Sequence, residues 1–420
     1  MYRLLIFFSL LCISTFIYSQ EGDFYYEDYV YVTNLKTVKF NPVGDPLEPP
    51  VAYINANQRL VLTFDDMDND SKDYTYYLIH CDKNWNPSNI NPIDYMDGFQ
   101  NEEINSIQPS SNTFVPYTHY TLTLPNNDIR WTISGNYLLV VYEGRIGEDR
   151  YPVITRRFMV VDKNVNINVK KRRPLDVSKI NTHQEFDLFV NYENYNIIDP
   201  QNNVYVTVLQ NYRWDTAIKN LQPKFVVGYN LTIDNSGKIS FPALKEFRPI
   251  DIRSLDLTAI GTQSVHLIKN GTIVTLDIGQ NKTDRFYTND PDANGMFVIQ
   301  NRDTGNSKLQ GDYARVLFTL KMPEIQDDVY IMGSFTDWQP DDMYRMSYDP
   351  ATESYLGEVE LKQGYYNYFY GVLEGNRLNA RPIEGSWNET ENQYQIFVYV
   401  RQPGDRYDKL IGYNTFNSNM

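Results

Sequence analysis

The chain has 420 residues, a formal net charge of −15 at pH 7 and 35 tyrosines. Its length suffices for about three domains, and its acidity argues against nucleic acid or an anionic membrane as the partner, because both are negatively charged. Aromatic residues make up 15% of the chain and, with abundant Val, Ile and Thr, favour β-strands.

Residues 1–19 have the pattern of a secretory signal peptide. Arg3 supplies the positive charge, and the apolar run from Leu4 to Ile17 is too short to span a bilayer. No later segment is long and apolar enough for a membrane span. We therefore expect an exported chain in which Cys81 remains as a single buried thiol once Cys12 is removed.

Strand-like runs recur at sandwich-like spacing through residues 20–162, the first predicted domain. One of them, Tyr74–Cys81, leads into a long loop that is rich in Asn and Pro and ends at Phe99. This loop carries too much apolar surface for a solvated tether, so it either packs on its own domain or presents a face to a partner. We take four of its residues as partner-binding candidates: Trp85, Tyr95, Met96 and Phe99.

Five segments, in order, resemble the plug family of the type IX secretion system. They are IHCDKNWNPSNINPIDYMDGF (79–99), YTHYTLTLPNNDIRWTISGNYLLVVY (117–142), PVITRRFMV (152–160), QNYRWDTAIKNLQPKF (210–225) and EFRPIDIRSL (246–255). The resemblance implies a periplasmic protein, peripherally associated with the outer membrane, that closes the pore of a giant outer-membrane β-barrel translocon when no cargo is being transported. It implies no small-molecule substrate.

The second predicted domain, residues 163–305, also reads as a series of strands, one of which is Val204–Gln210. A short helix is expected after it, at Trp214–Asn220. The densest mixed motifs of this domain give four further candidates: Arg213, Trp214, Arg248 and Arg253. These residues form either an internal ion-pair network or anchors for a partner, since Trp and Arg dominate interface hot spots.

The third predicted domain, residues 306–420, resembles the early-set module that binds starch or glycogen. Trp338 stands where the first sugar-stacking aromatic of that module would be, but Phe369 and Arg377 replace the expected lysine and second tryptophan. We therefore expect Trp338 to pack in the domain. The alternative function is a periplasmic or surface glycan-binding protein that uses this domain.

No pattern in the chain indicates catalysis, a cofactor or a metal site. The acidic run Asp65–Asp70 begins like a calcium loop, but Ser71 and Tyr77 stand where its Gly and bidentate Glu are needed. The four histidines are dispersed, without metal-ligand spacing. The prediction is an all-β, non-enzymatic protein of three consecutive immunoglobulin-like or early-set β-sandwiches that follow the signal peptide.

Overall fold

Strands make up almost all of the regular structure of the chain, which confirms the all-β prediction. The computed structural model describes residues 23–54, 56–234, 236–375 and 377–419. The predicted signal peptide lies outside these residues. Three hydrophobic cores divide the described chain into three sandwich units, which we call the first, middle and third units.

The first unit comprises residues 23–162. Its elements are β1 (Tyr29–Val30), β2 (Leu35–Pro42), β3 (Val51–Tyr53), β4 (Leu60–Asp66), β5 (Tyr74–Cys81), α1 (Pro92–Tyr95), β6 (Met96–Gly98), β7 (Glu102–Glu103), β8 (Ser106–Pro109), β9 (Thr118–Leu124), β10 (Ile129–Trp131), β11 (Gly135–Glu143) and β12 (Tyr151–Val161). One sheet has the order β1-β12-β11-β5-β7, with β3 parallel to β12, and the other has the order β2-β4-β9-β8. Strands β6 and β10 form a separate ribbon.

Strand β5 buries both of its faces. Tyr74, Tyr76 and Leu78 point into the core of the first unit, whereas the alternate residues Ile79 and Cys81 belong to a cluster shared with the middle unit. This division follows from the two-residue period of a strand. It explains why the run is apolar at nearly every position, and it buries Cys81 as expected.

The middle unit comprises residues 163–242 and 391–419. Its elements are β13 (Asn166–Arg172), β14 (His183–Asn191), α2 (Pro200–Asn203), β15 (Val204–Gln210), β16 (Arg213–Leu221), β17 (Phe225–Val227), β18 (Asn230–Asp234), β19 (Ser240–Pro242), and then, far along the chain, β31 (Gln393–Val400) and β32 (Lys409–Asn417). The sheets run β13-β14-β18-β17 and β16-β15-β31-β32. The helix expected at Trp214–Asn220 is wrong, because this segment is strand β16, paired with β15.

The third unit comprises residues 243–390. Its elements are β20 (Arg248–Asp251), β21 (Thr262–Ile268), β22 (Gly271–Leu276), β23 (Gly279–Gln280), β24 (Phe297–Ile299), β25 (Tyr313–Lys321), β26 (Val329–Met332), β27 (Ser347–Asp349), β28 (Ser354–Lys362), β29 (Gly364–Glu374), β30 (Arg377–Asn379) and α3 (Arg381–Glu384). One sheet runs β21-β22-β25-β28-β27, and the other is built around β29, which pairs with β20, β24, β26 and β30.

The strand pairing corrects the expected division at residue 305. Strands β20 and β24 precede that position but pair with β29, and β22 is parallel to β25. The last two strands, β31 and β32, return to the middle unit through β15. The third unit is therefore inserted into the middle unit, and its two connections to that unit lie near residues 243 and 390.

This topology predicts the effect of removing the C-terminus. A chain that ends at residue 390 lacks β31, which lies between β15 and β32 in the sheet, so β15 loses a hydrogen-bonded neighbour and the core of the middle unit loses the apolar residues of β31. We expect the middle unit to unfold while the first unit keeps its own core. Limited proteolysis with mass spectrometry would then map cleavage to residues 163–242. Full protection of that range in the truncated chain would contradict the topology.

Candidate functional site

Trp85, the first of the loop candidates, lies at the joint between the first and middle units. Its side chain is 2% exposed, and its ring meets that of Trp214 edge to face with centroids 5.0 Å apart. The turn that presents Trp85 is held by Asp82 Oδ1, which accepts hydrogen bonds from the backbone N–H of Asn84 (2.8 Å) and Asn86 (2.9 Å). Within this turn Trp85 has φ +72°, a left-handed conformation that is uncommon for a bulky residue.

Arg157 on β12 binds both tryptophan rings of this joint. Its guanidinium carbon lies 4.7 Å from the centroid of the Trp85 ring and 5.5 Å from that of Trp214. Its Nε donates to the carbonyl of Tyr26 at 2.8 Å. Burial lowers the pKa of the Arg157 guanidinium from its ordinary value, and Asp28 opposes this shift. Two of the predicted candidates, Trp85 and Trp214, therefore meet inside the chain.

Tyr95 and Met96 are buried inside the first unit, 5% and 4% exposed. The Tyr95 hydroxyl donates to the Leu78 carbonyl at 3.0 Å, and Met96 pairs with Trp131 in the β6–β10 ribbon. Together with Trp85, they cannot form a contact face while the chain is folded, which corrects our prediction for three of the four loop residues. Only Phe99, 69% exposed, lies at the surface.

Arg213 joins the middle unit to the third. It is bonded to Asp215, and its guanidinium carbon lies 5.0 Å from the Trp338 ring centroid and 5.2 Å from that of Phe369. Trp338 also stacks on Phe369, with centroids 5.8 Å apart. The ring that a sugar would need is thus covered by protein, which argues against the glycan-binding alternative. The early-set resemblance of this region stays a prediction.

Arg248 and Arg253 lie within the third unit, away from the first–middle contact at Trp85 and from the middle–third contact at Arg213. Arg248 Nε is 2.9 Å from Glu384 Oε1, and Arg253 is paired with Asp251. The Glu384 carboxylate raises the pKa of Arg248 against the opposing effect of burial. For these two residues the internal ion-pair interpretation fits the observed contacts.

The joint between the first and third units centres on Asp65, the first residue of the acidic run Asp65–Asp70. Its Oδ2 lies 2.7 Å from Lys362 Nζ and accepts a hydrogen bond from the Tyr313 hydroxyl, also at 2.7 Å. Its Oδ1 is 2.6 Å from His119 Nδ1. The side chains of Asp65 and Lys362 are each 1% exposed. The two residues are 297 positions apart, so no local pattern could have signalled the pair.

Burial lowers the pKa of both basic groups in this cluster, those of His119 and Lys362, while Asp65 opposes the shift. The Lys362 ammonium also lies 4.0 Å from the Tyr117 ring centroid. A cavity of about 380 Å³ beside this joint is lined by both units, including Leu35 and Tyr344. The first and third units thus meet through a desolvated ion pair, whereas the first and middle units meet through an apolar cluster and the Arg157 guanidinium that lies against its rings.

Residues 35–162, nearly the whole first unit, match the family model described as the type 9 secretion system plug protein 1st domain. The chain carries the first domain of the type 9 secretion system plug family. The matched family is a plug domain of a secretion system and is not a known enzyme family.

Two solved structures were also matched to this chain. A crystal structure of a hypothetical protein from Parabacteroides merdae ATCC 43184 is 29% identical, covers 94% of this chain and 100% of its own, and has a TM-score of 0.88. Native alpha-2-macroglobulin from Escherichia coli, spanning domains NIE-MG1, covers 49% of this chain and 90% of its own at 12% identity. Its TM-score of 0.16 is too low to indicate a shared fold. No curated protein matches the chain.

The described residues contain no group of three or more His, Cys, Asp or Glu residues arranged to hold a metal ion. In the same residues, no helix has both the length and the apolar character that a membrane crossing requires.

The burial of the loop residues leads to a stability prediction. Trp85→Ala should lower the free energy of unfolding by about 3–5 kcal/mol, because the joint loses a large buried ring. Phe99→Ala in the same loop should change it by no more than about 0.5 kcal/mol, because the ring is exposed. Denaturant unfolding followed by far-UV circular dichroism would measure both. Equal effects of the two variants would contradict the observed packing.

The Asp65–Lys362 pair gives a second stability prediction. Asp65→Asn leaves a buried ammonium without its counter-charge, which should destabilise the chain by about 3–5 kcal/mol, and adding Lys362→Met should recover part of that loss. The control is Arg315–Glu358, a pair with half-exposed side chains in the third unit, where Glu358→Gln should cost about 0–1 kcal/mol. If the double variant were no more stable than Asp65→Asn alone, the unpaired charge would not explain the loss.

Proposed function

We propose that this protein is a non-enzymatic plug that docks on the periplasmic side of the type IX translocon barrel and closes its pore when no cargo is being transported. The observation that carries the proposal is the match of residues 35–162 to the plug-protein first domain. A pore wide enough for folded cargo leaks small solutes when idle, so it needs a stopper of domain size.

The interlocked units support this role because a stopper must keep its shape. Domains in one chain move relative to one another unless their interface is large and hydrophobic. In this chain the first and middle units share a buried apolar cluster that includes Leu138, Val140 and Phe397. The buried Asp65–Lys362 pair holds the first unit to the third, and Arg213 holds the third unit to the middle one. Each unit therefore contacts both of the others.

Phe99 is the loop candidate that remains for docking. It follows strand β6, and Ile93 in the adjacent helix α1 is 83% exposed. Two large apolar side chains at the surface of one loop are typical of a contact with another protein. We place the protein in the periplasm, held at the outer membrane by its partner and not by a membrane span of its own.

Affinity purification tests the proposal. The tagged protein would be recovered from detergent-solubilised outer membranes, and co-purifying proteins would be identified and quantified by mass spectrometry. We expect a very large β-barrel at a ratio near one to one, and less of it with Phe99→Ala.

The matched control is Phe286→Ala, since Phe286 is an exposed phenylalanine of the third unit, 88% exposed. It should leave recovery of the barrel unchanged. Recovery of the chain alone at several salt and detergent conditions would overturn the proposal. Equal recovery with Phe99→Ala and wild type would remove the loop from the interface and leave the plug role itself standing.

A further inference from the structure

Strand β17 of the middle unit is an unprotected sheet edge. It is the last strand of the order β13-β14-β18-β17, and its three residues Phe225, Val226 and Val227 are 50%, 37% and 72% exposed. Natural proteins usually protect an edge with charge, proline, a bulge or a covering element. Pro223 and Lys224 precede the strand, but none of its own three residues is charged or a proline, and helix α2, which lies beside the strand, leaves all three exposed.

The hairpin geometry shows which backbone groups of β17 are open. Val227 pairs with Asn230 across a two-residue turn whose first residue, Gly228, has φ +57°. Residues that flank such a turn form a hydrogen-bonded pair, and backbone groups alternate in direction along an antiparallel strand. The N–H and C=O of Val226 therefore face away from β18, toward the open edge. Groups arranged in this way are complementary to another extended strand.

Charge distribution indicates what kind of strand fits this edge. The middle unit contains 13 Lys and Arg against 10 Asp and Glu, whereas the first unit contains 10 against 20 and the third 14 against 22. The middle unit is thus the basic part of an acidic protein, and Lys224 immediately precedes β17. An acidic segment is attracted to it, while a second copy of this chain would bring two basic units together.

We propose that β17 is a docking strand, which receives an extended partner segment as an added antiparallel strand. The segment has apolar side chains at alternate positions and acidic residues at its ends. Backbone hydrogen bonds to Val226 supply the register, and the exposed rings of Phe225 and Tyr229 supply apolar contact. This interaction is separate from pore closure and does not use Phe99.

A peptide experiment tests the docking strand on the full-length protein. The probe is fluorescein-labelled Asp-Asp-Thr-Val-Thr-Val-Thr-Asp-Asp, with a Lys-flanked version of the same core for comparison, and the readout is fluorescence anisotropy. We expect the acidic peptide to bind about tenfold or more tightly than the basic one. Val226→Pro removes the outward N–H of this residue and breaks no hydrogen bond between β17 and β18. It should therefore weaken peptide binding by about tenfold or more.

Two further variants keep the outcome decisive. Val226→Thr retains the backbone donor and should bind like the wild type. Val226→Asp places a negative charge on the edge and should weaken binding of the acidic peptide. If the proline variant has a lower melting temperature, the aspartate variant takes its place as the test of the docking strand. Unchanged affinity in the aspartate variant, preference for the basic peptide, or no binding of either peptide would overturn the proposal. A dimer in sedimentation that Val226→Pro dissolves would also overturn it, in favour of a second copy.

Discussion

The contact between the first and middle units is built around one buried cation, Arg157, placed against the rings of Trp85 and Trp214. A guanidinium that loses water must be compensated by acceptors or by the negative faces of aromatic rings, and this one has both. Trp85 belongs to the first unit, as Arg157 does, whereas Trp214 belongs to the middle unit, so the compensation is complete only while those two units are in contact. The left-handed backbone of Trp85 persists for the same reason, because the surrounding packing fixes it.

The joints differ in chemistry, and this difference has a structural consequence. A desolvated ion pair is stable only in a narrow range of geometry, because only good geometry offsets the cost of removing both charges from water. The Asp65–Lys362 pair therefore fixes the register of the third unit against the first, while the cluster around Arg157 supplies burial. The third unit is connected to the middle unit by two chain segments, so fixing it at a second place limits its rotation.

Local features of the fold could be predicted from sequence, and long-range ones could not. Strand Val204–Gln210 was predicted with the bounds that the structure has, because the alternation of its side chains is a local signal. The following segment, Arg213–Leu221, was predicted in part as a helix, but pairing with β15 overrides its local preference. The insertion of the third unit was missed because β15 and β31 are separated by about 190 residues, and pairing at that distance leaves no periodic trace.

The candidate residues show a related limit. Trp and Arg are enriched at protein interfaces because large rings and planar cations bury well, and the same physics operates between units of one chain. Sequence alone therefore marked Trp85, Arg213 and Trp214 as partner-binding candidates without showing that the groups they contact belong to the same protein.

The surfaces proposed for partners, Phe99 and the edge of β17, are exposed, whereas Trp85 and Lys362 at the internal joints are buried. A partner can therefore bind these surfaces and leave them without breaking the contacts that hold the units together.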